Sequence, residues 1–436
     1  MLKTTEYQKG VVCTLACRCI RQYGFLPGYT VSFLVYYETF NREREDISLL
    51  GVFLLFSKKK GIFMEALFDN LLNLEWSLFW KQLVMWIIGG TLIFLAIRKK
   101  MEPTLLLPMG FGAILMNIPN NTGGAGVSEV LETLYNAGIS NELFPLILFI
   151  GIGAMIDFGP ILSNPKLMIF GAAAQFGIFM TLSLASLFGF EMKEAASIAI
   201  IGAADGPTSI VVATQLAPHL LGPITVAAYS YMALVPVVQP PIIKLCTTKN
   251  ERRIRMAYSP ASVSKFTRIV FPILVTVITG LIAPGAVALV GFLMFGNLIR
   301  ECGVLESLSE TAQKVLANLV TLFLGITVAF TMKAEAFVDW GTALILGLGL
   351  VAFVFDTFGG IMIAKLMNIF LPEGKKINPM IGAAGISAFP MSARIVNKIG
   401  LEEDNQNFLL MHSIGANVSG QVASVIAGGL ILNFFL

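Results

Sequence analysis

Apolar runs separated by short polar or charged segments fill the chain from residue 83 to its end. Most of them approach the length of about 20 residues that a helix needs to cross a bilayer. They form two series. The first series is Leu83–Ile97, Thr104–Ile118, Leu143–Leu162, Leu167–Phe188, Ala195–Gln215 and Ile224–Leu245. The second series is Val270–Ala283, Val287–Ile299, Ala317–Met332, Gly341–Phe370, Pro379–Val396 and Phe408–Phe435.

The two series share short motifs at matching places, which indicates an internal duplication. The matching motifs are Phe-Ile-Gly-Ile at 149–152 and Phe-Leu-Gly-Ile at 323–326, Ile-Gly-Ala-Ala at 201–204 and 381–384, and Val-Gln at 238–239 opposite Gly-Gln at 420–421. Duplication of a whole set of membrane helices is typical of secondary transporters.

Composition agrees with a membrane protein. The chain is 56% hydrophobic and 13% charged, with a mean hydropathy of +0.78, which leaves too little polar surface for a soluble globule. We therefore predict an all-α polytopic membrane protein. The net charge of +3 is small and the basic residues lie in short clusters between apolar runs, so nucleic-acid binding is not indicated.

The basic clusters predict how the helices are oriented. Arg98-Lys99-Lys100 and the basic loop at residues 246–268 should both be cytoplasmic, because positive loops stay inside. Both can be inside only if the run Ala195–Gln215 is broken or re-entrant and does not cross completely. We expect the same of Pro379–Val396. Each repeat then has about five crossings, the two repeats are inverted, and they occupy residues 64–245 and 269–436.

Residues 1–63 do not fit this pattern. They mix basic residues with apolar runs too short to cross a bilayer, and they lack the order of a signal peptide. Met64 begins a plausible entry helix. Our hypothesis is that residues 1–63 are an extension created by a misassigned start codon and that Met64 is the true start; an authentic but poorly ordered extension is the alternative.

Candidate chemistry lies in the two fifth runs. Asp205 sits beside the helix-breaking Gly202 and Pro207, and the matching segment offers Asn378 and Ser387 but no acid. An acid at membrane depth persists where it faces a cavity, a cation or a proton path. Carboxylate, amide and hydroxyl oxygens suit Na⁺, and burial without the cation favours the protonated form of the acid. Asp205 alone is therefore expected to exchange a proton for the ion.

Simpler interpretations of these residues stay open. Gly202 and its counterpart Gly382 could serve close helix packing only. Asp205 could cap a helix at the interface, and Asn378 could be a plain N-cap. Ser387 could hydrogen-bond within its own helix. Arg394 could be a cytoplasmic anchor or could receive an anionic group.

The motifs of both segments carry a resemblance to a known family. Ile201-Gly202-Ala203-Ala204-Asp205-Gly206-Pro207-Thr208, the later series of Asn378, Gly382, Ser387 and Arg394, and the stretch Leu105–Pro119 closely resemble the β subunit of the biotin-dependent, sodium-pumping decarboxylases. Those enzymes act on oxaloacetate, methylmalonyl-CoA or glutaconyl-CoA. The resemblance runs from about Met64 to the C-terminus.

The resemblance implies a function and residue roles. The β subunit decarboxylates carboxybiotin held by a partner, consumes a proton and drives Na⁺ outward. Asp205 would bind Na⁺ and alternately the proton, Asn378 and Gly382 would complete a sodium site, and Ser387 would serve a second site or proton delivery. Arg394 would meet the carboxylate of carboxybiotin. By position in the sixth runs we add Asn417 as an oxygen ligand and Tyr229 as a hydroxyl on the proton path.

The resemblance also implies partners and a location. We expect an oligomeric complex in a prokaryotic plasma membrane, with a carboxyltransferase α subunit, a biotin carrier protein or domain, and a small single-span γ- or δ-type subunit. Biotin is not expected on this chain, since Lys333 in Met-Lys-Ala lies at a membrane helix end. The isolated His219 and His412 do not suggest a metal site.

Two other functions are weighed against this one. A Na⁺-coupled secondary transporter of an organic anion would use the same broken helices, because fold alone does not decide function. A passive membrane scaffold would not explain an acid kept between glycine-broken segments. An ATP-driven pump is disfavoured, because the chain has no Gly-x-x-x-x-Gly-Lys phosphate loop.

Overall fold

The computed structural model describes residues 75–100, 102–119, 127–256, 263–388 and 391–436, and these residues are helical without a β strand. The predicted extension at residues 1–63 lies outside the described residues. The expected all-α class is confirmed for the described part of the chain.

The first half of the described chain contains ten α-helices linked by short turns, some of them 3-10 turns. In chain order they are α1 (Trp76–Lys99), α2 (Pro103–Met116), α3 (Val127–Gly138), α4 (Leu143–Met155), α5 (Gly159–Ser163), α6 (Met168–Ala174), α7 (Phe176–Leu187), α8 (Met192–Ala199), α9 (Gly206–Leu216) and α10 (Leu221–Cys246).

The second half of the described chain follows with a similar succession of long and short helices. They are α11 (Lys249–Arg252), α12 (Lys265–Ile282), α13 (Val287–Glu301), α14 (Glu306–Glu310), α15 (Ala317–Val328), α16 (Ala334–Phe337), α17 (Trp340–Phe370), α18 (Met380–Ala383), α19 (Met391–Glu403) and α20 (Leu410–Phe435). A π-helical turn at Thr311–Leu316 joins α14 to α15.

Among the residues that the structure describes, six helical stretches are long and apolar enough to cross a membrane. They are Trp76–Lys99, Pro165–Leu187, Lys265–Ile282, Glu306–Thr331, Trp340–Phe370 and Leu410–Phe435. Two bent pairs, Val127–Gly138 with Leu143–Met155 and Pro218–Met232 with Leu234–Cys246, bring the number to eight. The chain is thus a multi-pass membrane protein. Eight is fewer than the ten crossings expected, partly because α2 and α13 are shorter than the bilayer requires.

Both fifth runs are interrupted, as predicted. Helix α8 ends in a 3-10 turn at Ile200–Ala203, Ala204 takes a left-handed backbone with φ 52°, and Asp205 is extended before α9 begins. Pro207 is tolerated at the start of α9, because the first turn of a helix needs no backbone N–H. In the second run, α18 ends at Ala383 and α19 begins at Met391.

Glycines press both interrupted segments against long helices. A Cβ at Gly202 would lie 3.0 Å from the backbone nitrogen of Ile178 in α7. A Cβ at Gly382 would overlap the carbonyl oxygen of Gly360 in α17. Close packing is therefore a role of both glycines: a Cβ fits tightly at Gly202, whereas at Gly382 there is no room for one without a backbone shift.

Candidate functional site

Asp205 is the centre of a buried polar cluster. Its side chain is 2% exposed, and it occupies the N-cap position of α9 without capping the helix through its side chain. Its Oδ2 instead accepts hydrogen bonds from the Thr208 hydroxyl at 2.5 Å, the Gln421 amide at 3.3 Å and the Ser424 hydroxyl at 3.3 Å. The carboxylate therefore faces polar groups inside the protein and not the membrane interface.

The cluster joins both halves of the chain. The Ser424 hydroxyl of α20 also lies within hydrogen-bond distance of the Ser387 hydroxyl, at 3.1 Å, and Ser387 follows the short helix α18. The contact of Ser387 thus reaches another helix and does not stay within its own. Asp205 and Ser387, which the sequence analysis paired across the duplication, are connected through this one hydroxyl.

A reciprocal pair of glutamines accompanies the cluster. Gln421 of the second half donates to Asp205 of the first half, and Gln239 of the first half donates to the Ala383 carbonyl of the second half at 2.7 Å. These glutamines occupy the matching Val-Gln and Gly-Gln positions of the two series. Each half therefore supplies an amide to the interrupted segment of the other.

Asn417 holds the backbone of the second interrupted segment. Its Nδ2 donates to the carbonyl of Ile386 at 2.6 Å and to the Ser392 hydroxyl at 2.9 Å. Its Oδ1 is buried and has no hydrogen-bond partner among the described residues. This oxygen can therefore accept a hydrogen bond or coordinate a cation.

Tyr229 lies directly beside the first interrupted segment. A Cβ at Gly206 would overlap the Tyr229 ring, so Gly206 allows the ring to approach the residue that follows Asp205. The Tyr229 hydroxyl is buried and has no hydrogen-bond partner in the described part of the chain. The structure thus places a buried phenol, with its hydrogen-bonding capacity unused among the described residues, next to the first interrupted segment.

Asn378 makes its side-chain contacts away from Asp205. Its Nδ2 donates to the carbonyls of Arg252 and Ile254, both at 2.9 Å, and its Oδ1 accepts from the backbone of Met380 at 3.1 Å. The last contact fits the N-cap interpretation of Asn378. The first two fasten the loop after α11 onto the entrance of α18.

Side chains at the end of α19 and directly after it hold the same loop in place. Arg252 donates to Glu403 at 2.7 Å, and Arg255 binds Asp404 at 2.6 Å. The hydrogen bond from Arg252 is the main cause that keeps the pKa of Glu403 below its ordinary value of 4.5. Asn407 adds a third contact by donating to the Arg252 carbonyl at 2.8 Å.

Arg394 points outward from the second turn of α19. The side chain is exposed, and no ion pair involves it within the described residues. An unpaired guanidinium on a helix tied to the basic loop can act as an anchor or bind an anionic group.

The sequence analysis did not single out three buried polar residues, Thr208, Ser424 and Asp356. Thr208 and Ser424 contact Asp205, yet hydroxyl residues are common in membrane helices and give no distinct signal. Asp356 is fully buried within α17. Its signal, a single acid in an apolar run, is the same one that drew attention to Asp205.

Comparison with known proteins identifies the family of the chain. Residues 81–435 match the family described as the Na⁺-transporting oxaloacetate decarboxylase beta subunit. The chain is 50% identical to the methylmalonyl-CoA decarboxylase subunit beta of Veillonella parvula, covering 80% of this chain and 92% of the relative. It is 49% identical to the glutaconyl-CoA decarboxylase subunit beta of Acidaminococcus fermentans, covering 81% of this chain and 93% of that relative. It is 44% identical to the probable oxaloacetate decarboxylase beta chain of Vibrio cholerae, covering 82% and 96%. The chain therefore belongs to the family of Na⁺-transporting decarboxylase beta subunits.

Proposed function

We propose that this chain decarboxylates carboxybiotin held by a partner and couples the reaction to outward Na⁺ transport. The observation that carries the proposal is the contact of Asp205 with Ser424, which links it to Ser387 of the other half. A carboxylate and hydroxyls drawn from two interrupted helices form a site of the kind that transporters use for Na⁺.

In this proposal Asp205 supplies the negative charge that binds Na⁺. Oxygens of Thr208, Ser387 and Ser424 are the neighbouring neutral groups, and the unpartnered Oδ1 of Asn417 is a further candidate ligand. Asn378 and Gly382 complete the sodium site indirectly, because their contacts hold in place the segment that carries Ser387.

We also infer that the two halves are inverted repeats. The support is the reciprocal contact pattern, in which Gln421 binds Asp205 and Gln239 binds the Ala383 carbonyl. Gly202 against α7 and Gly382 against α17 repeat the same relationship. Reciprocal contacts of this kind are expected when two halves are related by a pseudo-two-fold axis, and the odd number of crossings expected in each repeat puts that axis in the membrane plane.

The reaction needs a proton for each CO₂ released. The bond between the biotin ring nitrogen and the carboxyl carbon breaks, CO₂ leaves, and the electron pair on nitrogen takes up a proton. Asp205 gives up its proton when Na⁺ binds, and the buried Tyr229 hydroxyl beside it lies on the proposed proton path. The exposed Arg394 is the group proposed to hold the carboxylate of carboxybiotin.

The proposed partners follow from this reaction. A carboxyltransferase α subunit would load biotin on a carrier protein or domain, and the carrier would dock near Arg394. A small single-span subunit of the γ or δ type would complete an oligomeric assembly. The loop fastened to α19 by Arg252 and Glu403 gives the docking side a fixed shape.

The test uses the purified complex in proteoliposomes. Release of CO₂ from the carboxylated carrier and uptake of radioactive sodium are measured together while the Na⁺ concentration is varied. Both should rise with the same half-saturating Na⁺ concentration. Sodium uptake that is driven by an organic anion, without CO₂ release, would instead make the protein a secondary transporter.

A further inference from the structure

Asp356 is a second carboxyl group buried among the helices, in the middle of α17. It is fully buried, and neither carboxyl oxygen has a hydrogen-bond partner at normal geometry among the described residues. The backbone N–H of Gly177 is the polar group that faces it. An ionised carboxylate without a partner in a dry interior is so costly that the group takes a proton instead.

No cation is placed to neutralise Asp356 in the described part of the chain. Helices α6, α7, α8, α10 and α18 and the turn before Asp205 pack against α17. The other titratable side chains on α17 and on these elements have partners or positions of their own. Lys365 pairs with Glu251 at 3.1 Å, and Tyr231 donates to the Leu346 carbonyl. Asp205 and Tyr229 belong to the cluster above, and the rest lie at helix ends: Lys193, Glu194, Lys244 and Cys246. A proton is thus the cation that fits Asp356.

Gly177 connects Asp356 to the segment that carries Asp205. A Cβ at Gly177 would overlap Asp356 Oδ1 and the carbonyl oxygen of Ala352, so the absent side chain is what allows α7 to lie against the carboxyl. A Cβ at Gly202 would lie 3.2 Å from the Gly177 carbonyl carbon and 3.2 Å from the Ala352 Cβ. Movement of the interrupted segment would therefore change the packing around Asp356.

Polar groups without partners continue along α7. Thr181 lies one turn beyond Gly177 on the same face of the helix, and its hydroxyl is buried without a hydrogen-bond partner in the described residues. Gln175 lies at the interruption between α6 and α7, and its Oε1 is in the same state. Thr181 therefore adds a buried, unpartnered hydroxyl to the face of α7 that carries Gly177.

We propose that Asp356 is a second proton-binding carboxyl of the transport core, coupled through Gly177 to the segment of Asp205. The inference rests on the proposed function. It differs from the expectation that Asp205 alone handles the proton: Asp205 exchanges Na⁺ and a proton, whereas Asp356 binds only protons and passes them on when the interrupted segment moves.

The first test is infrared spectroscopy of the complex with isotope-labelled aspartate, at neutral pH and saturating Na⁺. Sodium ionises Asp205 in the proposed function, so a label-sensitive C=O band of a protonated carboxyl should persist, and Asp356→Asn assigns that band to Asp356 by removing it. Absence of that band would overturn the proposal, and that outcome needs no variant.

The second test compares Asp356→Asn with Asp339→Asn, which makes the same change at the exposed N-cap of the same helix. Asn matches the shape of a protonated carboxyl. We expect Asp356→Asn to lose the persistent band and to slow decarboxylation on the order of 100-fold, as for removal of a proton-transfer group, with Na⁺ binding unchanged. A rate and pH profile equal to those of Asp339→Asn would assign Asp356 a structural role only.

Asp205→Asn is measured in the same series to separate the two proposals. If it retains Na⁺ binding, the proposed function fails at its sodium site. If it loses Na⁺ binding while Asp356→Asn behaves as wild type, the sodium site stands and the inference about Asp356 fails.

Discussion

The side-chain amide of Gln421 donates a hydrogen bond to Asp205 across 216 positions of sequence. The donor lies in the last helix and the acceptor at the interruption in the first half. This contact makes the proposed sodium site dependent on both halves at once.

Replacement of Gln421 by Leu should weaken Na⁺ binding. A hydrogen bond to a charged group contributes about 1.5–3 kcal/mol, and at 3.3 Å the lower figure applies, so the half-saturating Na⁺ concentration should rise about tenfold. The measurement is Na⁺-dependent decarboxylation by the complex. Gln239→Leu is the matched control because it removes a contact to a carbonyl and not to the carboxylate. Equal effects of the two variants would contradict the prediction.

Asp205→Asn should abolish Na⁺ uptake and carboxybiotin decarboxylation together. Asn keeps the size of the side chain but carries no charge and binds no exchangeable proton. Both activities are measured in proteoliposomes, with Asp339→Asn as the control. Decarboxylation that persists with normal Na⁺ dependence would refute a shared site.

Arg394→Lys should raise the required concentration of carboxylated carrier more than that of Na⁺. Lysine keeps the charge but loses the two-pronged hydrogen bonding of guanidinium to carboxylate. Lys398→Arg, one turn along the same helix, is the control. If the Na⁺ requirement rises instead, Arg394 is an anchor and not a carboxylate-binding group.

Gly382→Ala should lower stability. The new Cβ would overlap the Gly360 carbonyl oxygen, and forced overpacking costs about 1–3 kcal/mol. Thermal unfolding of the purified protein in detergent measures the effect. Gly347→Ala on α17 has nothing within 4 Å of the new Cβ and should be neutral or slightly stabilising. Similar melting of the two variants would count against close packing at Gly382.

Glu403→Gln should loosen the loop after α11 at neutral pH. The pKa of Glu403 is lowered in the folded protein, so its contribution is present above 4.5 and is lost as the pH falls through the lowered value. Hydrogen exchange of residues 247–256 should be faster in the variant at pH 7. At a pH below the lowered pKa, Glu403 is protonated, and hydrogen exchange of these residues in the wild type should be as fast as in the variant. A constant difference at all pH values would mean that Arg252 does not act through the charge of Glu403.

Local signals in the sequence predicted the interrupted helices. Gly202 and Pro207 beside Asp205 oppose a continuous helix within a few residues, and the structure interrupts the run at that place. The repeated Ile-Gly-Ala-Ala motif extended the prediction to the second segment. The positions of these breaks needed no knowledge of distant contacts.

Long-range contacts could not be predicted in the same way. Ser424 has no feature that separates it from other hydroxyl residues until α20 is placed against Asp205. The contacts of Asn378 with the loop after α11 likewise depend on how that loop folds back. Asp356 was within reach of sequence reasoning, but it lacks an adjacent Gly-Pro break and was overlooked.

Ala204 introduces backbone strain into the interruption between α8 and α9, directly before Asp205. An alanine in the left-handed region, at φ 52°, costs about 1 kcal/mol relative to a right-handed backbone. If Ala204 returns to a right-handed backbone when Na⁺ leaves, the strain energy lowers the affinity for Na⁺ in this conformation about fivefold. The backbone strain at Ala204 then favours release of Na⁺. A pump that discharges Na⁺ against a gradient needs a site of limited affinity, because tightly bound Na⁺ would not be released.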